Sequence, residues 1–457
     1  MSTVPVILAA GKGIRMCSSV PKVMHTLAGM PLVEYAIELG QKVGDKPALV
    51  VIGHGAEAVR ELVGVRARVV LQSEQLGTGH ALLQAETELR GNADRVLVWA
   101  ADMPLLSSNT LEAVVARQRE NDGPISLLTA VSAHQRGFGR LVRADDGSVQ
   151  AVVEEADATK EQRSICDLNV GVYCFDTSWL WPELSRLQQS ASGEYYLTDL
   201  VATAVAQGLS VGEIAVDDPV EIIGINTRAH LSEAETALRE RINHVWMDQG
   251  VTVLDPANTY IAASVQIGAD TIVLPNTHLQ GNTRIGSGCT IGPNSVVRDS
   301  VISDGCRVEC SVLEEATLEE DVDVGPFGHL RSGTHLARGV HVGNFGEVKN
   351  SYLGAQVKMG HFCYIGDATV GARTNIGAGT VTCNYGMDKK KHRTEIGEDV
   401  FIGSDTMMVA PLTIGARART GAGSVVTKDV PADSMAVGVP ARVITRESAP
   451  GGPEEDG

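Results

Sequence analysis

Ile267-Gly268-Ala269-Asp270-Thr271-Ile272-Val273-Leu274-Pro275-Asn276-Thr277-His278-Leu279 sets an aliphatic side chain at every sixth position, at 267, 273 and 279. The same step runs on through Ile285, Ile291 and Val297. It resumes at Leu318, Val324, Leu330, Leu336, Val342 and Val348, and returns at Ile396, Ile402, Met408, Ile414, Thr420 and Val426. Glycine follows many of these residues, as in Ile285-Gly286 and Ile402-Gly403. A helix repeats at 3.6 and a half-buried strand at 2, so neither produces this spacing. A chain wound as short flat strands around a prism does, with one inward aliphatic per face and small residues at the corners. The spacing predicts a hexapeptide-repeat, left-handed parallel β-helix over residues 251–443.

Upstream the pattern changes. Val4–Ala10, Ala48–Ile52 and Val96–Ala100 read as buried strands, and Ala56–Val63 and Thr110–Arg119 as amphipathic helices. Strands alternating with helices predict a parallel α/β sheet over residues 1–226. From Arg228 to Gln249, Leu231, Leu238, Ile242 and Val245 form an apolar stripe between charges. That is a helix of about 30 Å, read as a linker over 227–250. Residues 444–457, rich in Pro, Gly and Glu, read as a disordered tail.

The 457 residues carry a net charge of −18. That acidity argues against nucleic acid and anionic membranes as partners. Residues 1–33 nevertheless hold Lys12, Arg15 and Lys22 with no Asp or Glu, which marks a local anion site. Aromatic residues make up 4% of the chain, as suits a narrow aliphatic solenoid. The eight cysteines form no CxxC pair; Cys306 and Cys310 are near enough to approach each other, but the expectation is reduced thiols. No apolar run is long enough to span a bilayer and no secretory leader opens the chain, so the expected location is cytoplasmic.

The first strand runs into Leu8-Ala9-Ala10-Gly11-Lys12-Gly13-Ile14-Arg15-Met16, followed by Pro21-Lys22. Gly11 and Gly13 let backbone N–H groups approach a phosphate chain, and Arg15 and Lys22 supply countercharge. The string resembles the signature of sugar-nucleotide pyrophosphorylases, which join a nucleoside triphosphate to a sugar 1-phosphate in a Rossmann-like nucleotidyltransferase domain. That resemblance implies a UTP and UDP-sugar site built from Leu8, Ala9, Gly11, Lys12, Gly13, Arg15 and Lys22. Gln72, Gly77 and Thr78 of Gln72–Ala81 would read uracil. Asp102 would hold Mg²⁺ with Asn226, and Gly139, Glu154 and Asn169 would hold an N-acetylated sugar. Taken singly, each has an ordinary structural reading: Asp102 a helix cap, Glu154 a solvated strand end, Asn169 a turn. The chemistry asks for no general base, because a phosphate monoester with a second pKa of about 6 is already dianionic near pH 7. It asks instead for charge neutralisation as pyrophosphate departs.

In the solenoid, Gly360-His361-Phe362-Cys363-Tyr364-Ile365-Gly366-Asp367 puts a histidine near a tyrosine. A neutral imidazole can take a proton from an attacking amine, although a lone His also serves as a hydrogen-bonded corner residue. Together with the first site, the whole string is similar to the bacterial bifunctional N-acetylglucosamine-1-phosphate uridyltransferase/glucosamine-1-phosphate acetyltransferases, over roughly residues 4–443. The resemblance implies that His361 is the acetyl-transfer base. Arg331, Lys349, Tyr364, Asn375 and Lys391 would bind glucosamine 1-phosphate, and Asn384, Tyr385, Ser404 and Ala422 would bind acetyl-CoA. It further implies a homotrimer with intersubunit acetyl sites, and a UDP-N-acetylglucosamine product that feeds peptidoglycan and lipopolysaccharide.

The sequence departs from the family pattern in places. Gly386-Met387 follows Asn384-Tyr385 where Asp-Gly is usual, so Lys389, Lys390 and Lys391 compete for the phosphate-facing place, and Lys391 is the choice. Ser332 stands for a Pro, Ala101 for a Gly, and Gly438 for an Arg that Arg442 would replace. The alternative reading is a monofunctional sugar-1-phosphate nucleotidyltransferase whose β-helix only oligomerises. A third, of another class, is a non-catalytic module that binds nucleotide sugars.

Overall fold

The computed structural model describes residues 2–132 and 137–444. The predicted tail, from residue 445 onward, lies outside the described residues. The chain divides into two compact units, Met1–Leu238 and Arg239–Gly457.

The first unit is built on a nine-stranded sheet. Its strands are β1 (Thr3–Ala9), β2 (Leu49–Ile52), β3 (Arg68–Leu71), β4 (Arg95–Ala100), β5 (Ile125–Val131), β6 (Gly139–Arg143), β7 (Val149–Val153), β8 (Asp167–Asp176) and β9 (Val211–Ala215). The main path runs β9-β5-β8-β4-β1-β2-β3, with β6 and β7 attached through β8. β1 pairs in parallel with both β2 and β4, whereas β8 is antiparallel to β4 and β5. Val4 and Val6 join one buried cluster and Ile7 and Ala9 another. Burial on both faces is why β1 reads as an unbroken apolar run rather than an alternating one. The chain runs from β1 to β2 on one side and later inserts β4 on the other. The crevice beyond the carboxyl ends of β1 and β4 is therefore a switch point, where open α/β sheets bind ligands.

A helix spans Arg228–Asp248. Leu231 and Leu238 pack on the cluster around Met16 and Ile223 in the first unit. Ile242 and Trp246, one helical turn apart, pack on the core of the second. Val245, expected in that stripe, is instead half exposed. At i+3 from Ile242 it falls beyond the narrow seam that Trp246 closes at i+4.

The second unit winds through three sheets of twelve, ten and nine strands, here faces A, B and C, parallel except for the antiparallel pair that ends face A. A coil visits them in turn, as Ile272–Val273 on A, Thr277–Gln280 on B and Arg284–Ile285 on C. Each inward residue of the six-step runs is buried, from Ile267 at 8% exposure to Val342 and Met408 at 0%. Between the runs the inward residue continues with a five-residue step at several corners. Ile302, Val308, Leu313, Leu353, Ile365 and Val370 are all buried. Between Thr382 on face B and Ile396 on face C the corner swells into a loop. Buried corner hydroxyls close onto nearby carbonyls, as Thr283 Oγ1 onto Gln280 O at 2.7 Å and Thr334 Oγ1 onto Arg331 O at 2.7 Å. That satisfies polar groups the narrow core would otherwise strand.

All eight cysteines are free thiols. The parallel register Thr290↔Arg307 places Cys289 and Cys306, rather than Cys306 and Cys310, at matching positions of successive coils.

Candidate functional site

The Gly-rich loop leaves β1 at its carboxyl end. Gly11 has open space where a Cβ would stand, so its backbone stays accessible. Gly13 sits at φ +60°, and a Cβ there would lie 2.6 Å from Lys22 Cβ. Both conditions call for glycine. Lys12 and Arg15 are exposed and, among the described residues, unpaired with any acid. Lys22 is not. Its Nζ lies 2.5 Å from Asp102 Oδ2 and donates to Asn226 Oδ1 at 3.1 Å. Asp102 is no helix cap: it follows β4, and its carbonyl accepts from Ile225 N at 2.8 Å. That backbone bond brings Asn226 beside it from far along the chain.

The loop after β3 is pinned by the segment 194–197. Tyr195 N donates to Leu76 O at 2.8 Å, and Gly79 N to Tyr195 O at 2.9 Å. Gly77, at φ +102°, would drive a Cβ to 2.6 Å from Tyr195 O. Gln72, 3% exposed, donates to Gly77 O at 3.1 Å, which fixes its amide.

One cavity of about 790 Å³ is lined by Leu8, Ala9, Gly11, Lys12, Gly13, Arg15, Lys22, Gln72, Gly77, Thr78, Asp102 and Asn226. A second, of about 250 Å³, holds Gly139, Glu154 and Asn169. The two share Leu8, Thr78, Ala100, Asp102 and Asn226, so they adjoin at Asp102 and Asn226. Every first-unit residue picked from the sequence lines one or both. Burial pushes the Glu154 carboxyl pKa up, partly offset by the hydroxyl of Thr198 at 3.0 Å. Asn169 Nδ2 donates to Tyr173 Oη at 2.6 Å, and burial raises the phenol's pKa as well.

Tyr173, Thr198, Gln75 and Glu194 also line these cavities and were not picked from the sequence. The pairing of β8 with β5 slips between Asn169 and Tyr173, so strand alternation gives no dependable signal for Tyr173. Thr198 and Glu194 arrive from a later loop and left none.

On the solenoid the picked residues form two groups. Arg331, Lys349 and Tyr364 are on face B, aligned by the registers Leu330↔Val348 and Glu347↔Tyr364. Arg331 Nη1 donates to Glu347 Oε1 at 2.8 Å. The buried Asp367 accepts from Asn384 Nδ2 at 2.6 Å and from Asn350 Nδ2 at 2.5 Å. Tyr364 Oη lies 3.4 Å from Asn384 Nδ2.

The swollen corner folds back on itself, with Tyr385 bridging Lys391 and His392 N donating to Asn384 O at 2.8 Å. Of its three lysines, Lys391 returns to within 3.8 Å of Asp367. Arg331 and Lys391 together push the Lys349 ammonium pKa down. Three cations thus converge on one spot, an arrangement that attracts an anion.

His361 and Asn375 are on face A, through the registers Asn344↔His361 and Lys358↔Asn375. Ser404 and Ala422 stack at the A-to-B corner, where Gly423 N donates to Ser404 O at 2.8 Å. His361, Tyr385, Ser404 and Ala422 are exposed. Ser332 Oγ donates to Glu315 at 2.6 Å, and Arg442 is exposed opposite Val437 in the terminal hairpin.

A cavity walled by a Gly-rich cationic loop on a mixed α/β sheet and a cation cluster on a hexapeptide prism fit a two-headed transferase. Residues 5–202 match the MobA-like NTP transferase domain family, and residues 264–299 match the bacterial transferase hexapeptide (six repeats) family. The bifunctional protein GlmU of Heliobacterium modesticaldum is 46% identical over 94% of both chains. That of Geotalea uraniireducens is 44% identical over 94% of this chain and 95% of its own. That of Exiguobacterium sibiricum is 43% identical over 96% and 97%. The chain belongs to the bifunctional GlmU family. It is a uridyltransferase and an acetyltransferase in one polypeptide, which sets aside the monofunctional and the non-catalytic readings.

Proposed function

We propose that the solenoid acetylates glucosamine 1-phosphate with acetyl-CoA, and that the α/β cavity then joins the N-acetylated product to UMP from UTP. The reading rests on one observation above others: the chosen nucleotide and sugar residues line two adjoining cavities that share Asp102 and Asn226. The smaller cavity takes the sugar against Gly139, Glu154 and Asn169. The larger takes UTP, with uracil at Gln72, Gly77 and Thr78 and the phosphates along Leu8–Arg15. A sugar-phosphate oxygen attacks the α-phosphorus, the bond to pyrophosphate breaks, and Lys12, Arg15 and Lys22 receive the departing charge.

Asp102 and Asn226 suit a magnesium ion. Their oxygens already converge on one cation, the Lys22 ammonium. Among the described residues no group of three or more His, Cys, Asp or Glu forms a metal cage. Magnesium commonly does without one, taking one or two carboxylates and completing its shell with water and substrate phosphate. Bound there, it would neutralise phosphate charge.

For acetyl transfer, His361 takes the proton of the attacking amine while the new N–C bond forms and the thioester C–S bond breaks. Arg331, Lys349 and Lys391 hold the sugar phosphate, with Tyr364 and Asn375 on the sugar. Asn384, Tyr385, Ser404 and Ala422 take acetyl-CoA.

His361 and Asn375 occupy a different face from the cation cluster, which favours a site shared between subunits of a homotrimer. The exposed Phe327, Phe345 and Phe362, each more than half accessible along one corner, are surface such an assembly would cover. Among the described residues no helix is long and apolar enough to cross a membrane. A cytoplasmic enzyme supplying UDP-N-acetylglucosamine for peptidoglycan and lipopolysaccharide is the reading we favour.

Mixing subunits tests this. His361→Ala and Lys349→Ala proteins, each impaired in acetylation, should regain a fraction of it when dissociated and reassembled together. Mass spectrometry of the acetylated sugar phosphate is the readout. Absence of any recovery in mixed trimers would place both residues in one subunit's site.

A further inference from the structure

We propose that Lys22 is the resident counter-cation of the Asp102/Asn226 pair, and that it surrenders this place to a divalent metal and gives its ammonium to the triphosphate. The inference rests on the metal reading of that pair. Its basis is geometric. The Lys22 ammonium contacts Asp102 Oδ2 at 2.5 Å and Asn226 Oδ1 at 3.1 Å, with side-chain exposures of 13% for Lys22 and 15% for Asp102. Those are the same two oxygens that would ligate the metal. An ammonium and a hard dication cannot share them, so occupancy by one excludes the other.

Lysine suits the exchange. It is a point charge on a flexible four-carbon stem, able to leave one anion for another where a planar guanidinium would lock in place. The loop adds a coupling. Gly13 packs so closely on the Lys22 stem that a Cβ there would fall 2.6 Å from Lys22 Cβ. Lys12 and Arg15 flank that contact on the lining of the same cavity. A shift of the stem is therefore felt in the loop that meets the phosphates.

The exchange has two consequences. Without nucleotide, Lys22 weakens metal binding by competing for Asp102. With nucleotide, the triphosphate draws Lys22 away, so metal and UTP each tighten the other's binding, as linkage requires.

The experiment is a Mn²⁺ titration of the full-length protein without nucleotide, reading free Mn²⁺ by electron paramagnetic resonance. Lys22→Met and Lys22→Gln should each bind Mn²⁺ at least about tenfold more tightly than the parent, the worth of one charge-assisted hydrogen bond. Lys22→Arg should not. UTP should tighten Mn²⁺ binding in the parent by a larger factor than in Lys22→Met. Equal or weaker Mn²⁺ binding in both neutral variants overturns the inference. Adding Asp102→Asn to Lys22→Met should abolish the gain. If the tight binding survives that change, the metal lies elsewhere, and the metal reading fails along with the exchange.

Discussion

The two sites of this chain differ in what a single polypeptide can provide. At the carboxyl ends of β1 and β4 the sheet opens into a crevice, and residues from nine stretches of chain wall it into adjoining cavities. The solenoid is a prism with flat outer faces. It lines up Arg331, Lys349 and Tyr364 along one face and leaves His361 and Asn375 on the next. A doubly wound sheet encloses a substrate unaided, whereas a prism offers a ruled surface that needs a second surface to make a pocket.

Dilution should break the symmetry between them most completely. Below the concentration at which the proposed trimer would separate, acetyl transfer per chain should vanish while uridylyl transfer from supplied N-acetylglucosamine 1-phosphate holds steady. Parallel rate assays across a dilution series, with sedimentation to follow assembly, would decide it. Acetylation that persists in monomers would give the prism a complete site of its own.

Next in size is His361→Ala. It should lower acetylation by about 10²- to 10⁴-fold, the usual worth of a positioned base, with uridylyl transfer unaltered. Loss of both activities in folded protein would make His361 a structural residue.

Asp102→Ala probes the other head. Uridylyl transfer should fall by about 10²- to 10³-fold, as when a transition-state charge loses a fixed partner, and acetylation should keep its rate. A variant that loses neither activity removes Asp102 from the chemistry.

The smallest effect is one of pH and stability. Burial raises the Glu154 carboxyl pKa above its value in the unfolded chain. The stability this group contributes is therefore full below the unfolded pKa near 4.3 and lost as pH rises through the higher folded value. Glu154→Gln should match the parent's melting temperature in acid and exceed it towards neutral pH. A difference independent of pH would mean the carboxylate is ionised without penalty.

The frame of the solenoid was legible because its period belongs to neither helix nor strand. Its interruptions were not. Ile302, Leu313 and Leu353 arrive one residue early, and the step from Thr382 to Ile396 crosses a loop, so a strict six-step register breaks there while the winding does not. Once those slips are known, the division of the candidate solenoid residues between faces comes from counting from the nearest inward residue. Asn375 precedes Ile376 on face A, and Tyr364 precedes Ile365 on face B.

In the first unit the Gly-Lys-Gly-Ile-Arg string carried its own signature, because backbone conformation there restricts residue type. Thr198 and Glu194 did not. An ordinary side chain brought in by tertiary folding leaves no local trace. The pairing of Lys22 with Asp102 was equally silent, since residues so distant in sequence meet only through the sheet.

The corner steps of the solenoid bear on how such a chain changes over generations. Along a face, gaining or losing one residue turns the inward side chain outward and scrambles every layer beyond it. At a corner the same event is absorbed, because the next strand still enters the stack in phase. Corners therefore act like punctuation in a text whose words have fixed length: they can be shortened, or opened for a parenthesis, without garbling the words on either side. Asn384, Tyr385 and Lys391 all lie in one such parenthesis between face B and face C. A scaffold edited this way can acquire new chemistry by insertion while its load of buried aliphatics passes on unchanged.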